Sequence, residues 1–112
     1  MKVSTEEAIA KLLRGDVVAV PTETVYGLAG LISMESAIAK IFAVKQRPFF
    51  DPLIVHVYDL QSTARLVGSM PPRLEDLTRK FWPGPLTIVT ERSPEVSDLI
   101  TSGLSTVALR SP

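Results

Sequence analysis

Short apolar runs alternate with amphipathic segments along this chain of 112 residues. The amphipathic segments carry apolar residues at spacings of three and four, which is typical of helices with one buried face. They predict helices at 4–15, from Ser33 or Ser36 to about 47, at 59–68 and from Pro71 or Pro72 to about 82. The apolar runs predict strands at 17–20, 53–57, 86–90 and 106–109, whereas 21–30 is predicted as a loop and 91–105 as turns. This order indicates an α/β fold, with some parallel pairing favoured and a mixed sheet still open.

Local signals set several element boundaries. Ser4 and Glu7 have the spacing of a capping box, in which each side chain satisfies a backbone group at the start of a helix. Pro48 disfavours helical geometry in the residue before it, so the second helix is predicted to end near Arg47. The residues predicted to face a core are Ala8, Ile9, Leu12 and Leu13 in the first helix, Met34, Ile38, Ile41 and Phe42 in the second, and Leu74, Leu77 and Phe81 in the last.

Composition narrows the classes of protein that fit. Hydrophobic residues make up 46% of the chain, enough for one small domain spanning 1–112. The 12 basic and 12 acidic residues balance, which argues against a dedicated nucleic-acid binder. Without cysteine, disulfides and thiolate zinc sites are excluded, and one histidine excludes a histidine-rich metal site. No run predicts a membrane span or a signal peptide, so a cytoplasmic protein is expected.

Cations at the end of the second predicted helix are the first candidates for chemistry. Lys45 and Arg47 precede a loop stiffened by Pro48 and Pro52. Their positive charge suits an anionic ligand, but cations at a helix C-terminus are also favoured by the helix dipole alone. In the strand that follows, alternation places His56 on the face opposite Val55, where an imidazole could bond a small polar ligand or serve only the structure.

Polar residues at strand ends are the second group of candidates. The segment Pro21–Gly30 follows a strand and carries hydroxyls and a carboxylate, where ligands bind open α/β sheets, although threonines in loops often bond only their own backbone. Arg110 ends the last strand, either as a carboxylate clamp or as a surface cation on an edge strand. The segment Trp82–Thr87 is interpreted as a helix stop and strand start with a structural role.

Five ordered segments together resemble the YrdC/Sua5 family, the threonylcarbamoyl-AMP synthases. The strings are PTETVYGLAG at 21–30, KQRP at 45–48, PLIVH at 52–56, WPGPLT at 82–87 and TVALR at 106–110. The resemblance implies a twisted mixed sheet flanked by helices. It also implies an enzyme that converts L-threonine, bicarbonate and ATP, accompanied by Mg²⁺, into threonylcarbamoyl-AMP and pyrophosphate. That product serves the N6-threonylcarbamoyladenosine modification of tRNA.

The resemblance also assigns roles to residues of this sequence. L-Threonine would be bound by Thr24, His56 and Arg110, and ATP by Lys45, Arg47, Asp51 and Thr106. Asp51 is an acid that would repel phosphates unless Mg²⁺ lies between them. No residue is implied as a nucleophile or a resident metal ligand. tRNA or double-stranded RNA, and proteins that transfer the product to tRNA, are the macromolecular partners implied.

One departure from the family pattern leaves the function open. Family members continue past the Arg110 strand into a Ser-x-Asn motif that completes the nucleotide site, and this sequence has no such motif after Pro112. The chain is therefore expected to be the amino-terminal portion of such a domain. Two alternatives remain: a noncatalytic module that binds nucleotide or RNA, and the carbamoyl-transfer domain of hydrogenase maturation proteins, which shares the fold.

Overall fold

The computed structural model describes residues 4–21, 26–46 and 52–112. The chain divides into two compact units, Met1–Phe49 and Phe50–Pro112, each treated by itself below. Unit 1 contains helix α1 (Thr5–Leu13), strands β1 (Val18–Pro21) and β2 (Tyr26–Ala29), and helix α2 (Glu35–Lys45). Unit 2 contains strand β3 (Ile54–His56), a 3-10 turn (Gln61–Thr63), helix α3 (Pro72–Phe81), strand β4 (Ile88–Glu91), helix α4 (Asp98–Thr101) and strand β5 (Thr106–Arg110).

Helix α1 begins where the capping signal predicts. The Ser4 hydroxyl accepts the backbone N–H of Glu7 at 3.1 Å and donates to the Glu7 carboxylate at 3.3 Å. The helix ends before Gly15, whose positive φ of 86° a residue with a side chain rarely adopts. The predicted core face is wrong in one respect, because Ile9 and Leu13 are exposed and no residue of α1 is fully buried.

The segment predicted as a loop contains a strand. β2 pairs antiparallel with β1, with Val18 opposite Ala29 and Pro21 opposite Tyr26. Gly27 and Gly30 favoured a loop in the sequence. Among the described residues, no heavy atom beyond the chain neighbours of Gly27 lies within 4 Å of the position that its Cβ would take. The strand predicted at 17–20 is present as β1, and Val18 alone among its residues is fully buried.

Helix α2 supplies most of the buried side chains in unit 1. Ala37, Ile38, Ile41 and Phe42 lie on its buried face, confirming the predicted spacing from Ile38 onward. Ala37 and Ile41 lie close to Gly30, where a Cβ would approach the Ala37 side chain to 3.2 Å. The helix begins after Met34 rather than at a serine, and ends at Lys45 before Gln46, which adopts the left-handed conformation.

Unit 2 is built on a three-stranded mixed sheet in the order β3–β5–β4. β3 is parallel to β5, with His56 opposite Arg110, and β4 is antiparallel to β5, with Ile88 opposite Leu109. The predicted α/β class and mixed pairing are therefore confirmed. The alternative of an edge strand for Arg110 is wrong, because β5 lies between the other two strands.

Side chains alternate in direction along these strands, so one face of the sheet is buried and the other is open. Val55, Leu109 and Ile88 are register partners in adjacent strands, and all three are buried. The next partners, Ile54 and Val89 beside Ala108, point the other way and are exposed at the two edge strands. The buried face packs against α4, which contacts β5 and buries Ile100.

The stretch predicted as turns contains α4, held by an arginine. Arg92 donates through Nη1 to the Val96 carbonyl and to the Thr101 hydroxyl, both at 3.1 Å. Its Nη2 pairs with the Asp98 carboxylate. A helix of four residues lacks the repeated apolar spacing from which a helix is predicted, so the sequence did not reveal it.

Replacing Ser4 by alanine is expected to loosen the first turn of α1. The substitution removes the acceptor for the Glu7 N–H, and loss of such a cap costs about 1 kcal/mol. Amide hydrogen exchange of residues in α1 should become several-fold faster. Ser33→Ala, at an exposed position outside the helices, is the control, and equal exchange in both variants would contradict the capping role.

Candidate functional site

Three side chains form a polar row across the end of the unit 2 sheet. His56 of β3 is the register partner of Arg110 in β5. Continuing the β4–β5 register by one residue beyond Ile88 and Leu109 places Thr87 opposite Arg110. Register partners on neighbouring strands project to the same face about 5 Å apart. His56, Arg110 and Thr87 therefore line one polar row on the open face, with Arg110 in the middle.

The Arg110 guanidinium has an uncommon environment. It is half-buried, and its Nε and Nη2 both donate to the Thr87 hydroxyl, at 2.9 and 2.6 Å. Within residues 4–21, 26–46 and 52–112, Arg110 makes no ion pair with a carboxylate. Arginine that leaves bulk water usually has an anionic partner. A guanidinium held by a neutral hydroxyl can therefore take an external anion.

Hydrogen bonds from Ser111 hold the backbone beside this row. The Ser111 side chain is 2% exposed, and its hydroxyl donates to the Tyr58 carbonyl at 2.7 Å. Its carbonyl accepts the Gly84 N–H at 2.7 Å, and the Arg110 carbonyl accepts the Val57 N–H at 2.9 Å. The ends of β3 and β5 and the segment before β4 are thus tied together where the row lies.

An open cleft of about 580 Å³ lies at the strand ends and meets the row at His56. His56 forms part of its wall, and Tyr58 in the same wall is almost fully exposed. The remaining lining residues are Val57, Asp59, Pro83, Ser111 and Pro112. Arg110 and Thr87 are not among the residues that line it, so the cleft touches only the His56 end of the row.

The other predicted site residues belong to unit 1, lie at the opposite end of β5, or fall outside the described residues. Lys45 is the exposed last residue of α2, where the helix dipole by itself favours a cation. Thr106 begins β5 and is half-buried opposite Glu91. Thr24, Arg47 and Asp51 fall outside the described ranges. The structure thus brings together His56 and Arg110 of the predicted threonine residues, and their roles remain predictions.

Thr87 is the residue that sequence reasoning missed. The segment Trp82–Thr87 was interpreted as purely structural because its prolines and glycine dominate the pattern. The available signal was the position of Thr87, immediately before a strand whose antiparallel partner ends in Arg110. Without knowing that β4 and β5 are neighbours, that signal could not be used.

Neither a metal-binding cluster nor a membrane-spanning helix is present in the described residues. No group of three or more histidine or acidic side chains there is arranged to hold a metal ion. None of the helices in the described ranges combines the length and apolar character needed to cross a membrane.

Comparison with known proteins assigns the chain to a family. The family model for Sua5, YciO and YrdC proteins, described as "Telomere recombination", matches residues 10–112. The chain is 46% identical over 98 residues to the threonylcarbamoyl-AMP synthase of Pyrococcus abyssi, covering 88% of this chain and 29% of that protein. It is 43% identical over 107 residues to the threonylcarbamoyl-AMP synthase of Bacillus subtilis, covering 95% and 31%. The chain therefore spans about a third of the length of these relatives.

Solved structures agree with the fold. The crystal structure of Pyrococcus abyssi Sua5 complexed with L-threonine matches with a TM-score of 0.92 and 43% identity, covering 95% of this chain and 31% of that one. Full-length HypF matches with a TM-score of 0.80 at 20% identity, over 100% of this chain and 18% of that one, which shows a shared fold alone.

Proposed function

Because the chain belongs to the Sua5/YciO/YrdC family, we propose that it is part of an enzyme of threonylcarbamoyl-AMP synthesis. The substrates are L-threonine, bicarbonate and ATP, and the products are threonylcarbamoyl-AMP and pyrophosphate. Relatives at 46% and 43% identity that carry the name of this synthase support the activity over the two alternatives. The product would serve the modification of tRNA.

The observation that carries the proposal is the half-buried Arg110 guanidinium without a carboxylate partner among the described residues. The threonine carboxylate is an anion of the right size and geometry for one edge of an arginine fork. His56, the register partner of Arg110, stands where it can bond the ammonium or hydroxyl end of the same ligand. The Pyrococcus abyssi relative has been solved with L-threonine, which supports this ligand class.

The chemistry requires positioned charges rather than a protein nucleophile. The threonine amine attacks the carbon of bicarbonate and water leaves, which forms a carbamate. A carbamate oxygen then attacks the α-phosphorus of ATP. The bond from that phosphorus to the bridging oxygen breaks, and pyrophosphate leaves with the electron pair. Holding the carbamate in line with the phosphorus and stabilising charge on the phosphate oxygens supply most of the acceleration. Arg110 would fix the carboxylate end so that the amine end faces the nucleotide.

The length of β5 suits a ligand that joins the two substrates. Arg110 and Thr106 project to the same face and are separated by four residues, about 13 Å along a strand. Between them lies Ala108, whose small side chain leaves space above the sheet. An adenylate extended along β5 would place its amino-acid end at Arg110 and its nucleotide near Thr106.

The remaining substrate contacts are proposed from the sequence. Thr24 would contact threonine, whereas Lys45 and Arg47 would contact the ATP phosphates. Mg²⁺ would accompany those phosphates, because this ion usually binds substrate phosphates together with one or two carboxylates. Asp51 is the candidate carboxylate. tRNA, double-stranded RNA and the proteins that transfer the product are proposed partners, and a cytoplasmic location follows from that role.

The proposed activity is expected to appear as pyrophosphate release from ATP that requires L-threonine and bicarbonate together. The assay uses the 112-residue chain, with each substrate omitted in turn. Omitting either threonine or bicarbonate should reduce the signal to background. Pyrophosphate release that is independent of threonine would contradict the proposal, and so would the absence of both turnover and threonine binding.

A further inference from the structure

We infer that Thr87 is a positioning residue, which orients the Arg110 guanidinium so that one particular edge faces the ligand carboxylate. This inference rests on the proposed function and adds to it a residue outside the predicted site. The Thr87 hydroxyl accepts from both Nε and Nη2 of Arg110, at 2.9 and 2.6 Å. A hydroxyl oxygen has two lone pairs, so one threonine satisfies this whole edge of the guanidinium.

The two hydrogen bonds determine which edge remains for a ligand. Arginine presents five N–H donors in a rigid plane, and the edge formed by Nη1 and Nη2 carries two parallel N–H groups. Among the described residues, Arg110 donates its side-chain hydrogens to Thr87 and to no other group. Because the plane is fixed by the Nε side, the Nη1–Nη2 edge is presented in one orientation. A carboxylate that approaches along this edge forms two parallel bonds.

Thr87 can direct Arg110 because its own backbone is fixed. The Trp82 indole N–H donates to the Leu86 carbonyl at 2.8 Å, which closes the segment immediately before Thr87. The Gly84 N–H donates to the carbonyl of Ser111, the neighbour of Arg110 in sequence. A Cβ at Gly84 would lie 2.6 Å from the Phe81 carbonyl oxygen, so this close turn requires glycine. Backbone hydrogen bonds therefore hold the segment that carries Thr87 against the strand end that carries Arg110.

The alternative is that Thr87 serves stability only. A half-buried hydroxyl that accepts two charged N–H groups would also help to hold β4 against β5. The two roles predict different effects on binding of the ligand carboxylate. A purely stabilising bond would leave carboxylate recognition unchanged in the folded protein, whereas a positioning bond controls the preference for a carboxylate over a neutral group.

Thr87→Val tests the inference because it removes the hydroxyl and keeps the shape of the side chain. In the 112-residue chain, L-threonine should bind at least tenfold more weakly to Thr87→Val by calorimetry. L-Threoninamide, which lacks the carboxylate, should bind the variant and the wild type equally. Thr87→Ser keeps the hydroxyl and should restore threonine affinity to within about threefold. Equal threonine affinity in Thr87→Val and the wild type, with both folded, would overturn the inference.

A second measurement does not depend on any ligand. In ¹⁵N-labelled 112-residue chain, the Arg110 Nε–H signal should be resolved and slow to exchange with water in the wild type and in Thr87→Ser. In Thr87→Val, this signal should overlap with the Nε–H signals of the solvent-exposed arginines. If wild type fails to bind threonine, the proposed function is wrong, while these spectra still decide whether Thr87 holds Arg110. An unchanged Arg110 signal in Thr87→Val rejects the positioning role even if the enzyme is active.

Discussion

Arg110→Ala is expected to abolish measurable L-threonine binding. The guanidinium is the centre of the polar row, and within the described residues no other cation stands beside it on the sheet. Removing one partner of a desolvated arginine–carboxylate pair typically costs about 2–5 kcal/mol. That range corresponds to roughly 30-fold to several-thousand-fold weaker binding. Titration calorimetry of the 112-residue chain with L-threonine measures the effect.

Two further variants sharpen this result. Arg110→Lys keeps the charge but loses the planar fork, so it should recover only part of the affinity. Arg73→Ala removes an exposed arginine from α3 in the same unit and should leave threonine affinity unchanged. ATP binding in the absence of threonine should be nearly equal in all of them. If Arg110→Ala bound threonine as tightly as Arg73→Ala, Arg110 would not be the carboxylate clamp.

Leu109→Ala is expected to destabilise unit 2 more than any substitution on its open face. Leu109 is 0% exposed and lies in the central strand between Val55 and Ile88, with neighbours on both sides. Truncating such a leucine costs about 2–5 kcal/mol, because the cavity left behind collapses only in part. A domain of this size is typically stable by about 5–15 kcal/mol, so a large share of the stability would be lost.

Urea unfolding of the 112-residue chain measures this loss. Leu104→Ala is the matched control, because Leu104 is 51% exposed in the loop before β5. Its midpoint should change little, as surface substitutions usually shift stability by no more than about 0.5 kcal/mol. Equal midpoints for the two variants would contradict the central position of Leu109 in the core.

The sequence predicted those elements of the fold whose signals are local. The Ser4 cap, the proline start of α3 and the alternation around Val55 depend on neighbouring residues, and each is present in the structure. β2 and α4 were missed for different reasons. β2 contains a glycine and depends on pairing with β1, whereas α4 is four residues long and is held by Arg92. Tertiary contacts therefore determine that β2 and α4 form.

The candidate site was predictable only in its chemistry. Arg110 and His56 could be singled out from their positions at strand ends, but their adjacency depends on the parallel pairing of β3 with β5. Pairing between strands more than 50 residues apart has no local signal. Thr87 was missed for the same reason, because its role becomes visible only when β4 lies antiparallel to β5. The sequence therefore indicated the types of residue involved, whereas the sheet order determined which of them meet.

The central place of β5 has a consequence for synthesis of this protein on the ribosome. Within the described residues β3 and β4 do not pair with each other, and each forms its ladder with β5, which follows both of them in the sequence. A nascent chain that has reached only residue 105 thus carries two strands with unsatisfied edges, which are prone to association with other chains. Because these contacts are distant in sequence, the sheet forms late, and the polar row is assembled only after Arg110 has left the exit tunnel.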